Sequence, residues 1–192
     1  STLHKPKLNA SRLNEDLVTT SMNKVKVTAF CDSLCEPKGK RGPGPMDVGY
    51  WARLDDGTVL FAQHEVISDR DGRPLTGTCN QAEYYGLLRL HGQVVKWAEE
   101  KKIPLANIEL HINSDSQLMV RQINGEWRIR HPDIKVIYHR AVQLKDKLNY
   151  ILHKLGREDN GLADSLAQSR VLKGSSVTGQ FQDKYYSVRR HT

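Results

Sequence analysis

The sequence predicts an α/β protein whose five-stranded mixed sheet combines a three-strand antiparallel meander with two parallel strands and carries helices on both faces. Alternating apolar residues predict three strands in succession, at 25–32, 48–54 and 58–67. The turn Asp55-Asp56-Gly57 between the second and third strands is typical of a β-hairpin. Two further strand patterns, at 108–115 and 149–155, are separated from the preceding strands by helical patterns. Strands joined through helices run parallel.

Helical periodicity occupies most of the chain after the meander. The helices are predicted at 80–102, 116–125, 131–148 and 160–172. Glycine and proline mark a loop at 35–47, and 68–78 is predicted to be a loop as well. In open sheets of this kind, sites form outside the carboxyl ends of the strands.

Length and composition favour one intracellular domain with a polyanionic partner. The 192 residues are enough for a single core, predicted at 24–172, between a polar tail at 1–23 and a basic tail at 173–192. The net charge of +7 favours nucleic acid as the partner. No apolar run approaches the roughly 20 residues that span a bilayer, and the first residues contain no apolar segment of a secretory signal. Three cysteines without paired spacing argue against a disulfide framework and predict a cytoplasmic, reducing location.

Four acids stand where strands end or helices begin. Asp32 ends the first predicted strand and Asp115 the fourth, while Glu83 lies in the first turn of the long helix and Asp164 early in the last helix. Each has a simpler explanation by itself. Asp32 and Asp115 are residue types that cap helices or form turns, Glu83 complements a helix N-terminus, and a solvated Asp164 needs no partner.

Taken together, the four acids predict a metal site. Parallel neighbouring strands bring Asp32 and Asp115 to the same sheet edge, and converged carboxylates resist ionising together unless a cation neutralises them. Oxygen ligands suit Mg²⁺ or Mn²⁺ rather than zinc. Two such ions about 4 Å apart activate water and stabilise the leaving oxygen in phosphodiester cleavage.

Four ordered motifs carry a resemblance to a known family. They are FCDSL followed by RGPGPMDVGYW, then TCNQAEYYGLL, NSDSQLMVRQING and LGREDNGLADSLAQ. Over about residues 25–169, the chain resembles type 1 ribonuclease H, which cuts the RNA strand of RNA–DNA hybrids. The short loop before the last acid is most similar to the archaeal-type and plant-type branch.

The resemblance implies roles for individual residues. The metal-binding catalytic acids would be Asp32, Glu83, Asp115 and Asp164, holding two Mg²⁺ ions, with Mn²⁺ as the alternative. Thr78 resembles a contact to a DNA-strand phosphate, and Asn80 a minor-groove contact where the 2′-hydroxyls mark the RNA strand. Gln117 also falls where the family touches nucleic acid. The implied partner is an RNA–DNA hybrid bound by a monomer that needs no small-molecule cofactor.

The sequence departs from the family pattern in the first two motifs and in the middle of the chain. Ser33 follows the first acid where glycine is usual, and Cys79 stands where the family often has asparagine. The basic protrusion of some bacterial members is missing. Trp127, Arg128 and Arg130 are candidates to replace it as a stacking and phosphate-binding surface. The alternative for Trp127 is packing on the next helix.

The loop before the last acid also departs from some members, which place a histidine there to help the product leave. Here the loop contains Arg157, which either takes over part of that role or anchors the loop to a carboxylate. His153 precedes the loop on a predicted strand, where a structural role is the stronger expectation.

Three alternatives to a hybrid-cutting enzyme remain open. A non-cleaving hybrid-binding or double-strand-binding module on the same fold would be expected to have lost an acid, and none is lost here. Another nuclease of the same superfold, such as a resolvase or integrase, lacks this Asn-Gln-Ala-Glu helix start. A ribonuclease H domain excised from a reverse transcriptase would leave 1–23 as a connection remnant.

Overall fold

The computed structural model describes residues 24–36 and 43–169, so the predicted tails lie outside the described residues. The strands are β1 (Val25–Cys35), β2 (Gly44–Arg53), β3 (Val59–Val66), β4 (Thr76–Gly77), β5 (Ile108–Ser114) and β6 (Tyr150–Lys154). The helices are α1 (Cys79–Glu100), α2 (Gln117–Ile123), α3 (Pro132–Lys147) and α4 (Gly161–Ala167). Short 3₁₀ turns cover Leu105–Asn107 and Arg157–Asp159.

The strands form one mixed sheet in the order β3-β2-β1-β5-β6. β1, β2 and β3 pair antiparallel, while β1, β5 and β6 pair parallel because helices connect them. The predicted mixed sheet is confirmed, with one strand more than the five expected. The additional strand β4 lies in the predicted loop at 68–78 and pairs with the start of β2. A strand of two residues has no alternation for sequence reasoning to detect.

The prediction that the first strand ends at Asp32 is wrong. β1 continues to Cys35, and its last two residues pair with Asp47 and Met46, which belong to the predicted loop at 35–47. The parallel pairing of β1 with β5 ends earlier, at Phe30 opposite Asn113. Asp32 therefore lies just beyond the parallel pairing of β1 with β5, in the part of β1 that pairs with β2 alone.

Alternation along β1 separates two apolar layers. Val27, Ala29 and Cys31 are fully buried in the main core, which includes the apolar face of α1. Phe30 points the other way and stacks on Trp51 of β2, with ring centroids 4.5 Å apart. This second layer packs against α4, so helices cover both faces of the sheet as predicted.

The close approach of α4 to β2 depends on Gly49. A Cβ atom at this position would collide with the backbone carbonyl of Ala163 and the backbone nitrogen of Ala167. Backbone atoms of a packed helix cannot rotate away as a side chain does. The position of α4, and with it that of Asp164, therefore requires glycine at 49.

Gly49→Ala is expected to lower the free energy of unfolding by about 1–3 kcal/mol, because the added methyl group displaces α4. Urea unfolding measures the change. Gly92→Ala is the matched control, since nothing lies within 4 Å of a Cβ there and alanine favours the helix interior, with an expected gain of up to about 1 kcal/mol. Equal unfolding free energies of the two variants would show that the close approach of α4 to β2 does not limit the stability of the fold.

Candidate active site

Three of the four predicted acids converge in the structure. Asp32, Glu83 and Asp115 each offer a carboxylate oxygen, and these oxygens all lie within 4.8 Å of one another. They come from β1, from α1 and from the residue after β5. The mixed sheet and the helix packed on it thus bring together groups that are far apart in the chain.

Asp115 is not a helix cap. The N-cap of α2 is Ser116, whose hydroxyl accepts a hydrogen bond from the Met119 backbone N–H with an Oγ to N distance of 3.3 Å. Ser114, fully buried, accepts from the Ser116 backbone N–H at 3.1 Å. The two neighbouring serines accept the hydrogen bonds of this turn, so the carboxylate of Asp115 is not needed for capping.

Glu83 lies deeper in α1 than predicted. The helix begins at Cys79, with Thr78 as N-cap and a reciprocal hydrogen-bond pair between Thr78 and Gln81. Glu83 is thus in the second turn rather than the first, which argues against the simpler alternative that it complements the helix N-terminus. Its Oε2 atom is buried without a hydrogen-bond partner among the described residues. A buried carboxylate oxygen without a partner is costly unless something else binds it.

Asp32 is nearly buried, with 6% of its surface exposed. The Ser33 backbone N–H donates to its Oδ1 at 2.8 Å, which orients the carboxylate. Burial, and after it the charge of Asp115, raises the pKa of Asp32 to about 7. Without a cation this group holds its proton at neutral pH far more often than an exposed aspartate does.

The pKa values of the other two acids, Glu83 and Asp115, are raised as well. Burial raises the pKa of Glu83 well above its usual range, and the charges of Asp32 and Asp115 add to the effect. Burial also raises the pKa of Asp115, although the positive charge of Arg157 opposes the rise. Three carboxyl groups that resist ionisation together form a site that a divalent cation would neutralise.

Asp164 lies beside this cluster rather than within it. Gln168, one turn further along α4, donates from Nε2 to Asp164 Oδ1 at 2.9 Å. The charge of Asp164 and its hydrogen bond to Asp32 both contribute to the raised pKa of Asp32. The fourth predicted acid is therefore in contact with the first, on the side of the site formed by α4.

The loop that carries Arg157 is anchored by a residue that sequence reasoning missed. Asn160 is 1% exposed, and its Nδ2 donates to the backbone carbonyl of Cys31 at 2.9 Å. This bond holds the start of α4 against β1, next to Asp32. The available signal was an asparagine directly before a helix that carries an acid.

The residues predicted to bind nucleic acid at helix starts are exposed. Thr78, Asn80 and Gln117 all lie on the surface, the first two where α1 begins and the third at the first residue of α2. The Thr78 hydroxyl accepts the capping hydrogen bond and retains its own proton to donate. Gln117 follows Asp115 by two residues, so it lies close to the acidic cluster.

The predicted basic surface lies between α2 and α3. Arg128 and Arg130 are exposed, and Trp127 is 43% exposed. The guanidinium of Arg121 lies 5.3 Å from the Trp127 ring centroid and also pairs with Glu126 at 3.1 Å. The ring thus contacts the preceding helix through Arg121, a cation that sequence reasoning did not single out.

His153 is occupied by interactions within the sheet. Its Nε2 is 2.8 Å from Nδ1 of His111 on the neighbouring strand, and Nε2 of His111 is 2.9 Å from Glu109. The pKa of His153 is lowered by burial and by His111, which favours the neutral ring. These contacts favour the structural interpretation of His153 over a catalytic one.

None of the helices within residues 24–36 and 43–169 has the length and apolar character needed to cross a bilayer.

The fold and its acidic cluster define a protein of the ribonuclease H class. The family model described as reverse transcriptase-like matches residues 53–170. The chain therefore belongs to this family, within the type 1 ribonuclease H group.

Individual relatives agree with this placement. A bifunctional protein of Mycobacterium tuberculosis is 35% identical over 137 residues, which are 69% of this chain but only 33% of that protein. The chain thus spans about a third of the length of that curated relative. The N-terminal ribonuclease H domain of a mycobacterial protein is a structural match with a TM-score of 0.59 and 30% identity, covering 76% of this chain and 98% of the domain.

An archaeal structure also matches. Ribonuclease H1 of Halobacterium salinarum has a TM-score of 0.61 and 25% identity, with coverage of 78% of this chain and 99% of the archaeal one. This match supports the resemblance to the archaeal-type branch that the short loop before Asp164 indicated.

Proposed function

We propose that this chain is a metal-dependent endoribonuclease that hydrolyses the RNA strand of RNA–DNA hybrids and leaves 3′-hydroxyl and 5′-phosphate ends. The observation that carries the proposal is the cluster of Asp32, Glu83 and Asp115, whose ligand oxygens lie within 4.8 Å of one another. The relatives named as ribonuclease H support the substrate class.

The residues present fit a divalent cation. All three donors are carboxylate oxygens, which Mg²⁺ and Mn²⁺ prefer. The buried Oε2 of Glu83, without a partner among the residues described, is an available ligand atom. The raised pKa values of Asp32 and Glu83 indicate a surplus of negative charge that needs a counter-ion. When bound, a pair of such ions supplies an activated water and stabilises the leaving oxygen of the phosphodiester.

The chain's own residues hold and orient the components. The Ser33 N–H orients the carboxylate of Asp32 by donating a hydrogen bond to it. The side chain of Asn160 fixes the start of α4 against β1, and Gln168 orients the carboxylate of Asp164. Arg157 contributes positive charge close to Asp115, where a phosphate enters. In this proposal, the hybrid is bound by the exposed residues Thr78, Asn80, Gln117, Trp127, Arg128 and Arg130.

Cleavage of an end-labelled RNA–DNA hybrid in Mg²⁺ or Mn²⁺ tests the proposal. We expect RNA fragments with 3′-hydroxyl ends, no cutting of the DNA strand and no cutting in EDTA. Single-stranded RNA of the same sequence is the control and should stay intact. If only a junction with a single ribonucleotide were cut, the substrate assignment would be wrong. Hybrid binding without any cutting would instead support the non-cleaving module.

Trp127→Ala is expected to raise KM for the hybrid about fivefold or more while changing kcat less, because the exposed ring supplies a stacking surface. Steady-state kinetics separate the two effects. Val136→Ala on α3 removes another exposed apolar side chain and should leave both constants unchanged. An unchanged KM in the Trp127 variant would mean that the ring only packs beneath Arg121.

A further inference from the structure

Two of the three cysteines lie side by side where β1 ends and α1 begins. Cys35 is the last residue of β1, three residues after Asp32, and Cys79 is the first residue of α1, four before Glu83. The Cys79 thiol donates to the backbone carbonyl of Cys35 with an Sγ to O distance of 3.7 Å. Besides burial, the charge of Cys79 is close enough to raise the pKa of the Cys35 thiol.

Backbone pairing holds these cysteines together. Cys35 is paired with Met46 of β2, and the start of β2 is in turn paired with Gly77 of β4, two residues before Cys79. The Cys35 thiol donates to the carbonyl of Gly77 at 3.1 Å. A Cβ at Gly77 would lie 2.6 Å from the sulfur of Met46, so a larger residue there would require the Met46 side chain to move. Strand pairing of β1 with β2 and of β2 with β4 therefore holds the two cysteines near each other.

The exposure of the thiols sets the order in which they react. Cys79 is exposed and Cys35 is partly exposed, whereas Cys31 is buried in the core. Burial, and next the neighbouring Cys79, raises the pKa of the Cys35 thiol, which favours its protonated form. An oxidant from solvent thus reaches Cys79 first and does not reach Cys31.

We propose that Cys35 and Cys79 form a reversible disulfide that controls the acidic site and the hybrid-binding surface beside it, an inference that rests on the function proposed above. With a small disulfide RSSR as the oxidant, the Cys79 thiolate attacks one sulfur and releases one RS⁻. Cys35, after losing its proton to water, attacks Cys79 Sγ and releases the second RS⁻. Two protein thiols are oxidised and one small disulfide is reduced to two thiols.

The bond changes the geometry of the site. A disulfide requires the two sulfurs to lie about 2.05 Å apart, which draws the first turn of α1 towards β1. That turn carries Thr78 and Asn80 on the hybrid-binding surface, and Glu83 follows in the next turn. Because a displacement of about 1 Å can lower a rate by about 10²-fold, we expect the oxidised protein to cut the hybrid at least about tenfold more slowly.

The test treats the reduced full chain with glutathione disulfide, removes the reagent and measures thiols, peptide mass and cleavage. We expect the free thiols to fall from three to one. A peptide joining Cys35 to Cys79 should lack two hydrogens, and dithiothreitol should restore the cleavage rate. Cys35→Ser is the matched control, because its hydroxyl can still donate to Gly77 while no disulfide can form. Its rate should equal that of the reduced protein before and after treatment.

Several results would overturn the inference. Three thiols remaining after treatment, or a disulfide that leaves the cleavage rate unchanged, would each do so. Equal inhibition of Cys35→Ser would assign the effect to a mixed disulfide at Cys79 alone. If the reduced protein itself failed to cut the hybrid, both the proposed function and its regulation by the disulfide would be wrong. The thiol count and the peptide mass would then still decide, independently of activity, whether the bond forms.

Discussion

Asp115→Asn is expected to lower the rate of hybrid cleavage by about 10²–10³-fold, because the amide removes one charged oxygen ligand from the acidic cluster. Asparagine has nearly the same shape, and Ser116 rather than Asp115 caps α2, so the fold should be retained. Hybrid binding, measured by fluorescence anisotropy in metal-free buffer, is expected to stay within about twofold of the parent, since only the reacting centre is altered.

The control is Asp146→Asn, an exposed acid on α3 that lies outside the cluster. It carries the same change of charge and should cut at the parent rate. Full activity in Asp115→Asn would contradict the acid mechanism. A loss of binding as large as the loss of cleavage would instead assign Asp115 to substrate binding.

Asp32→Asn is expected to stabilise the metal-free protein at alkaline pH although it abolishes cleavage. The pKa of Asp32 is raised from 3.8 to about 7 in the folded state. A raised folded-state pKa contributes stability that is complete below about pH 4 and is lost as the pH rises through about 7. Asparagine is neutral throughout, so the variant avoids that loss, and its advantage in unfolding free energy at pH 8 should be roughly 1–3 kcal/mol.

Thermal unfolding from pH 5 to pH 8 in EDTA measures the difference between Asp32→Asn and the parent. The difference should widen as the pH rises. In the parent, Mg²⁺ or Mn²⁺ should raise Tm more at pH 8 than at pH 5.5, because ligand carboxylates must lose their protons to bind a cation. In the variant this metal effect should shrink. A parent Tm that responds equally to metal at both pH values would remove the link between the raised pKa of Asp32 and metal binding.

Local patterns were sufficient for most elements of the fold. The Asp55-Asp56-Gly57 turn predicted the β2–β3 hairpin, and the helical period at 80–102 lies within two residues of the observed bounds of α1. Parallel pairing of β1 with β5 followed from the helix between them. These features depend on nearest-neighbour chemistry and chain connectivity, both of which are present in the sequence itself.

Features that depend on distant partners were not predictable in this way. β4 has two residues and exists because β2 offers it a partner, and the last residues of β1 are extended for the same reason. The role of Asn160 was not predicted, although the residue stands in the last motif, since that role is a hydrogen bond to Cys31, more than a hundred residues earlier. The contact between Cys35 and Cys79 likewise arises only when β4 pairs with β2.

The sequence by itself determined the mixed α/β architecture and the acids placed where its strands and helices end or begin. Only the tertiary structure decided that Asp32, Glu83 and Asp115 share one cluster while Asp164 stands beside it. The physical reason is that strand register and helix packing set the distances between these side chains. Burial in that arrangement then raises the pKa of all three clustered acids, and no stretch of sequence contains that environment.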